Sequence, residues 1–265
     1  MDPIRITSAS NSIIKEIRRL HDKKGRQKSK AILLEGTRLV TEALASEAKI
    51  RYFVLSDSFY EKSDGILSEY PDTKAFLVPD ELFVRIGETK TPQGVMSAVE
   101  LPDYDSSMIL GLRRLIVLEN VQDPGNLGAI IRTADACGLD GVLLSRDSAD
   151  PYNPKVIRST MGSIFHLPVI VAPDIYEALE GLKRYGVKVA AADIRNAVPC
   201  WEADLSGNTA IVVGNEGSGI SERMLQLADL AVMIPMPGKA ESLNASAAAS
   251  ILLYESMRQV CLNKL

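Results

Sequence analysis

NVQDPGNLGAIIRTADACG (residues 120–138) follows without a break on RRLIVLE (113–119), and this junction decides the fold class. RRLIVLE is a short apolar run of the kind that forms a buried strand, while Pro124 and Gly125 impose a sharp turn. GNLGAIIRTADACG then has helical apolar spacing, and Asn126 is placed to cap that helix. DGVLLS (140–145) returns as a second strand, so the three segments form a strand–helix–strand unit. Downstream, PVIVA, KVAAAD, TAIVVG and ADLAVMIPM read as further strands, and their continuous apolar character predicts a parallel sheet covered on both faces. SLNASAAASILLYESMRQVCL (242–262) reads as a long helix rich in small residues.

The alternation also extends upstream. AILLEG (31–36), IRYFVLS, KAFLVP and GVMSAVEL (94–101) are strand-like, and TRLVTEALAS (37–46), DSFYEKSDGILSEY and PDELFVRIG are helical. PDYDSSMILG (102–111) interrupts the periodicity as a linker would. The expectation is therefore an α/β chain of two parts: a small N-terminal α/β domain over 1–105 and a C-terminal parallel-sheet domain over 112–265.

Composition narrows the function classes. Of 265 residues, 46% are apolar and 24% charged, as in ordinary globular proteins, and no charge-free apolar stretch is long enough to span a bilayer. The N-terminal MDPIRITSASNSIIKEIRRL lacks the pattern of a secretory signal, so a cytoplasmic location without membrane association is expected. Cys137, Cys200 and Cys261 have neither metal-ligand nor disulfide-framework spacing and read as buried thiols or bystanders. With only His21 and His166, the chain has little for a zinc site or a Ser-His-Asp triad; no metal is expected. His166, inside the apolar run IFHLPV, reads as a packed structural residue. The net charge is −4, yet residues 1–30 carry nine Lys/Arg against three Asp/Glu, leaving −10 on the remainder. A basic segment on an acidic body suits local phosphate binding, although IKEIRRLHDKKGRQKSK (14–30) reads equally as a solvated helix followed by a flexible loop.

Three segments carry the chemistry. In the first, Asn126 and Arg132 lie on a helix that starts at the carboxyl end of a strand, where open α/β sheets place ligands. In the second, TAIVVGNEGSGIS (209–221), a buried strand runs into Gly214, Gly217 and Gly219, which let a ligand approach backbone N–H groups. It is not the dinucleotide fingerprint, and Glu216 within it repels phosphate, favouring a ligand with amine or hydroxyl groups. In the third, MIPMPGKAESLNASAAASILLYE (233–255), two prolines and a glycine shape a loop that ends in Ser242 and Asn244 before the small-residue helix. Each segment alone also reads as a plain turn, loop or helix cap.

Together they resemble the three signature segments of the SpoU/TrmH-type RNA ribose 2′-O-methyltransferases. Asn126, Gly128 and Arg132 match the first motif, and Gly214, Asn215, Glu216 and Gly217 the second. Pro235, Met236, Gly238, Ser242, Leu243 and Asn244 match the third. YNPKVIRSTMGSIFHLPV (152–169) is similar to the family's connecting segment, and AILLEGTRLVTEA and TPQGVMSAV to its N-terminal RNA-binding domain. The resemblance implies a catalytic domain threaded into a trefoil knot, S-adenosylmethionine as cofactor, and a homodimer. It implies Gly214, Asn215, Gly217, Ile234, Met236 and Leu243 as cofactor contacts. It implies Arg132 as the central catalytic group, oriented with the ribose and cofactor by Asn126, Glu216, Ser242 and Asn244. Arg158 and Lys155, with Arg18, Arg19 and Arg38 in the N-terminal part, are candidates for contacts to RNA phosphates. An N-terminal domain of this kind favours ribosomal RNA over tRNA as substrate. An inactive RNA-binding protein predicts decay of Arg132 or Asn244, and neither has decayed; a nicotinamide-dependent oxidoreductase lacks the fingerprint and its ribose-binding acid.

Overall fold

In the computed structural model, which describes residues 3–62 and 72–263, contacts group the chain into two compact units: Met1–Asp103 with Tyr152–Phe165, and Tyr104–Pro151 with His166–Leu265. The first unit holds a five-stranded mixed sheet. Its strands are β1 (Ile4–Arg5), β2 (Ala31–Glu35), β3 (Ile50–Ser56), β4 (Lys74–Val78) and β5 (Val95–Glu100), in the order β1–β4–β3–β5–β2. β4 runs parallel to β1 and β3, whereas β5 is antiparallel to β2 and β3.

Helices cover both faces of this sheet. They are α1 (Ser12–Leu20), α2 (Lys23–Ser29), α3 (Thr37–Ala45), α4 (Asp57–Lys62) and α5 (Asp80–Ile86). The strand alternation divides β2: Leu33 packs with Ile14, Ile17 and Leu20 of α1, while Ile32 and Leu34 pack with Leu39, Val40 and Ala43 of α3. The sequence expectation of a helix over 57–70 is met as far as Lys62; residues 63–70 lie outside the described residues. The expected flexible loop after α1 is instead a second helix. Arg26 of α2, 3% exposed, donates to the carbonyls of Leu20 and His21 at 2.9 and 2.7 Å, so one of the basic residues is a structural brace for the end of α1.

The second unit is built on a seven-stranded sheet in which every pair is parallel. β6 (Arg114–Leu118) leads through α6 (Pro124–Ala136) to β7 (Gly141–Leu144). The chain then forms α7 (Pro154–Thr160), whose Ile157 is buried in the core of the first unit, and returns as β8 (Val169–Val171). Next come α8 (Ile175–Arg184), β9 (Lys188–Ala192), β10 (Val198–Pro199), β11 (Thr209–Val213), α9 (Glu222–Leu227), β12 (Leu230–Met233) and α10 (Ala245–Leu262). The order β10–β12–β9–β11–β6–β7–β8 places β11 and β6 side by side in the interior. Both strands are buried almost throughout, as their unbroken apolar sequences require. The stretch expected as a linker contains a short 3₁₀ turn, Ser106–Gly111, and its Ile109 and Leu112 are buried in the second core. α10 lies against α6 and β11, with Ala249 and Leu253 fully buried. Among the described residues, no helix is long and apolar enough to cross a membrane.

Candidate active site

α6 begins three residues earlier than a cap at Asn126 would place it. Asp123, not Asn126, is its cap: the Asp123 carboxylate accepts the Asn126 N–H at 2.8 Å, and Pro124 occupies the first helical position. This releases the Asn126 side chain from capping and places it, 9% exposed, in the first turn of the helix. Its Nδ2 donates to Glu216 Oε1 at 3.0 Å, and its Oδ1 accepts from Asn244 Nδ2 at 2.9 Å. One residue from each of the three segments thus enters a single hydrogen-bonded chain, Glu216–Asn126–Asn244.

Both ends of that chain are fixed by backbone. Glu216 also accepts the N–H groups of Gln122 and Asp123 at 3.2 and 3.1 Å. Burial alone raises the Glu216 pKa, but the donors Asn126, Asp123 and Gln122 outweigh it and hold the carboxyl below its ordinary value. Asn244 caps α10, its Oδ1 accepting from Ser246 at 2.8 Å and from Ala247 at 3.4 Å. The capping role open to Asn244 from sequence is real, and its amide nitrogen does the second job.

The Gly-rich turn is closed on itself. Asn215 and Gly219 exchange backbone hydrogen bonds at 3.0 and 2.9 Å, and Asn215 Oδ1 accepts from the N–H groups of Gly217 and Ser218. Asn215 Nδ2 donates to the Asn120 carbonyl at 2.8 Å, tying the turn to the end of β6. A Cβ on Gly214 would sit 2.3 Å from the carbonyl carbon and oxygen of Gly219, so no other residue fits without moving the turn. Gly219 has φ +68°, the left-handed conformation that glycine adopts freely.

A cavity of about 350 Å³ opens between this turn, the end of β12 and the start of α10. Gly214, Asn215, Gly217, Ile234, Met236 and Leu243, the six residues expected at a cofactor, all line it. Glu216 and Ser242 line it too, so the structure brings together two of the expected orienting residues with these six. Arg132 stands apart from the hydrogen-bonded chain: it is exposed on α6 and makes no hydrogen bond or ion pair among the described residues. No cluster of three or more His, Cys, Asp or Glu side chains able to hold a metal ion occurs among the described residues.

The sequence missed Glu119. It closes β6 with only 7% exposure and accepts from the Ser221 N–H at 2.9 Å, the Ser221 hydroxyl at 2.6 Å and the Tyr176 hydroxyl at 2.8 Å. Two carboxylates, Glu216 and Glu119, therefore pin the two halves of the Gly-rich turn to the β6–α6 connection. A charged residue ending a strand otherwise made of apolar side chains was the signal available. His166 corrects another expectation: it is exposed, with its Nδ1 2.8 Å from Asp135. Cys137 and Cys200 are buried and Cys261 is exposed.

In the first unit, Arg38 and Arg158 line one cavity of about 290 Å³ with Thr89, Thr91 and Gln93. Arg158 is also 3.2 Å from Glu88. Lys155, exposed, lies three residues before Arg158 on α7 and so on the same side of that helix. Arg18 and Arg19 are exposed on α1, outside that cavity.

Comparison with known proteins places this geometry. Residues 11–97 match the MRM3-like substrate binding domain. The chain is 38% identical over 253 residues to the 23S rRNA (guanosine(2553)-2′-O)-methyltransferase RlmP of Bacillus subtilis, covering 94% of this chain and 98% of that one. It is 34% identical over 199 residues to the 23S rRNA (uridine(2479)-2′-O)-methyltransferase of Streptomyces viridochromogenes, covering 71% and 68%. Among solved structures, an AdoMet-bound rRNA methyltransferase from Sinorhizobium meliloti superimposes with a TM-score of 0.86 at 30% identity, over 97% of this chain and 98% of that one. The segments that build the cavity and the Glu216–Asn126–Asn244 chain all fall within residues 113–254, which match the SpoU rRNA Methylase family, and the chain belongs to that family.

Proposed function

We propose that this protein transfers a methyl group from S-adenosylmethionine to the 2′-hydroxyl of a ribose in ribosomal RNA. The observation that carries the reading is the hydrogen-bonded chain Glu216–Asn126–Asn244 beside the cavity, with an unpartnered Arg132 on the same helix as Asn126. The cavity fits the cofactor on its own chemistry. Gly214, Gly217 and Gly219 bring bare backbone to its wall, and a side chain on Gly214 would displace the turn that forms that wall. Ile234, Met236 and Leu243 offer apolar surface to an adenine ring, and Glu216 and Glu241 offer negative charge to a cationic ligand. The bound cofactor supplies a methyl group on a positively charged sulfur, which already activates it for attack.

The protein must then align the ribose oxygen and ease loss of its proton. Arg132 binds the target ribose and its phosphate and stabilises the alkoxide that develops, a role that suits a guanidinium that stays protonated. Asn126 and Asn244 fix the first turn of α6 and the start of α10 relative to each other, and Ser242 completes the wall of the site. The candidates for RNA phosphate contacts are Arg38 and Arg158, which share a cavity, with Lys155, Arg18 and Arg19 as further contacts. The same reading takes 1–105 as the RNA-binding domain and 112–265 as the catalytic domain. It threads the C-terminal part of the catalytic domain into a trefoil knot and locates the protein in the cytoplasm. A homodimer belongs to it as well: Ile251 and Tyr254 on α10 are 40% and 61% exposed, apolar surface that a second copy would cover.

The alternative substrate is tRNA. Ribosomal RNA is favoured because relatives matched over the length of both chains, or over about two thirds of them, are named for 23S rRNA. Incubating the protein with labelled S-adenosylmethionine and, separately, unmodified ribosomal RNA and tRNA tests the choice. Label in ribosomal RNA alone is expected; label in tRNA alone overturns the substrate and keeps the chemistry.

A further inference from the structure

A second cavity of the second unit, about 480 Å³, is distinct from the one assigned to the cofactor. It opens at the carboxyl ends of β6, β7 and β8, on the other side of the Gly-rich turn, and Asn215 and Gly219 line both cavities. Its lining is mixed: Ala172 and Ile175 are buried apolar residues, Pro173 is exposed, and Asn120, Ser145, Arg146, Asp147 and Ser218 are polar.

We propose that this cavity receives a nucleobase of the RNA substrate, beside the ribose to be methylated; the inference rests on the reading of the protein as an RNA methyltransferase. Three observations favour a base over a phosphate. First, the carboxylates Glu119, Asp147 and Asp174 line the cavity with Arg146 as the one cation of its lining and Arg223 on the Tyr176 ring beside it, a net negative balance that disfavours an anion and leaves Asp147 open to accept from ring N–H and amino groups. Second, Arg146 and Asp147 are exposed and make no hydrogen bond or ion pair among the described residues, so a donor and an acceptor stand open at adjacent positions. The edge of a base carries both kinds of group.

Third, the aromatic side of the cavity is rigid. Tyr176 is held through its hydroxyl by the buried Glu119, and the Arg223 guanidinium lies 3.8 Å from the centre of its ring. Single-stranded RNA is recognised by stacking splayed bases on aromatic rings and guanidinium planes while polar groups read their edges. Because the Gly-rich turn is a shared wall, a base seated here would hold its nucleotide next to the methyl donor.

The test uses the full-length protein with mononucleotides, so it does not depend on methyl transfer. Amide chemical shifts are followed during titration with GMP, CMP and AMP, with ribose 5-phosphate as the control for phosphate binding. The expected result is saturable shifts at Arg146, Asp147, Tyr176 and Ser218 with the nucleotides and none with ribose 5-phosphate. In Asp147→Ala, an exposed position, nucleotide affinity should fall about tenfold, the scale of ~1.4 kcal/mol. Arg146→Ala should show a comparable loss while S-adenosylmethionine affinity stays unchanged. Equal shifts with ribose 5-phosphate, shifts confined to other regions, or an unaltered Asp147→Ala protein would each overturn the proposal. A protein that binds nucleotides here yet labels no RNA would instead sink the reaction and leave the cavity's assignment standing.

Discussion

Arg132 and Asn126 sit six residues apart on one helix and meet different surroundings, which sets their different roles. Asn126 is buried and uses both ends of its amide on Glu216 and Asn244, whereas Arg132 is exposed and its donors have no partner among the described residues. Arg132→Ala should therefore lower kcat by about 100-fold or more, the usual cost of removing one donor to a developing oxyanion, while calorimetry shows S-adenosylmethionine binding intact. Retained turnover would remove Arg132 from the mechanism. Glu216 makes a pH-dependent prediction. Its folded pKa lies below the unfolded value, so its contribution is present above the ordinary carboxylate pKa and is lost as pH falls through the lowered one. Cofactor affinity in the native protein should hold as pH falls through the ordinary carboxylate range and drop only below it, and Glu216→Gln should remove that acid limb. An identical acid limb in the Gln variant would show that another group controls it.

At the scale of elements, the sequence was most legible where burial leaves few choices. β6, β9 and β11 are runs of apolar residues because both sheet faces are covered, and each appeared at nearly its true bounds. The two-residue edge strand β10 gave no periodic signal, and the second basic helix was hidden because its one buried residue is an arginine. The start of α6 was misread because Asn126 and Asp123 are both good caps, and Pro124 at the first helical position decides between them. Of the candidate site, the residues that line the cavity or join the hydrogen-bonded chain were named from three spaced motifs, but the partner of each side chain was not. Glu119 acts only through residues about 57 and 102 positions away, a pairing that only the sheet order creates. The Gly-rich turn carries this scale's prediction. Gly214→Ala forces a Cβ into Gly219, so S-adenosylmethionine affinity should fall by about tenfold or more, with thermal unfolding and α/β circular dichroism used to confirm that the sheet persists. Normal affinity would show that the turn moves cheaply and does not shape the cofactor site.

The molecule as a whole distributes charge unevenly: residues 1–30 are basic, the rest acidic, and the cavity holding Arg38 and Arg158 lies in the first unit. RNA binding should accordingly weaken with salt, and removing Arg38 or Arg158 should make the log–log salt slope shallower by about one contact each without changing which RNA is chosen. An unchanged slope would place the phosphate contacts elsewhere. The central claim, however, concerns a ribose and its methyl group, and one measurement addresses it. RNA labelled by the protein with methyl-labelled S-adenosylmethionine is digested in alkali, where each cleavage needs a free 2′-hydroxyl as nucleophile. The account predicts label in alkali-resistant dinucleotides, because the methylated oxygen can no longer attack its own phosphate. Label recovered in ordinary mononucleotides would mean that a base carries the methyl group, and the mechanism built on Arg132 and a ribose oxygen would be contradicted.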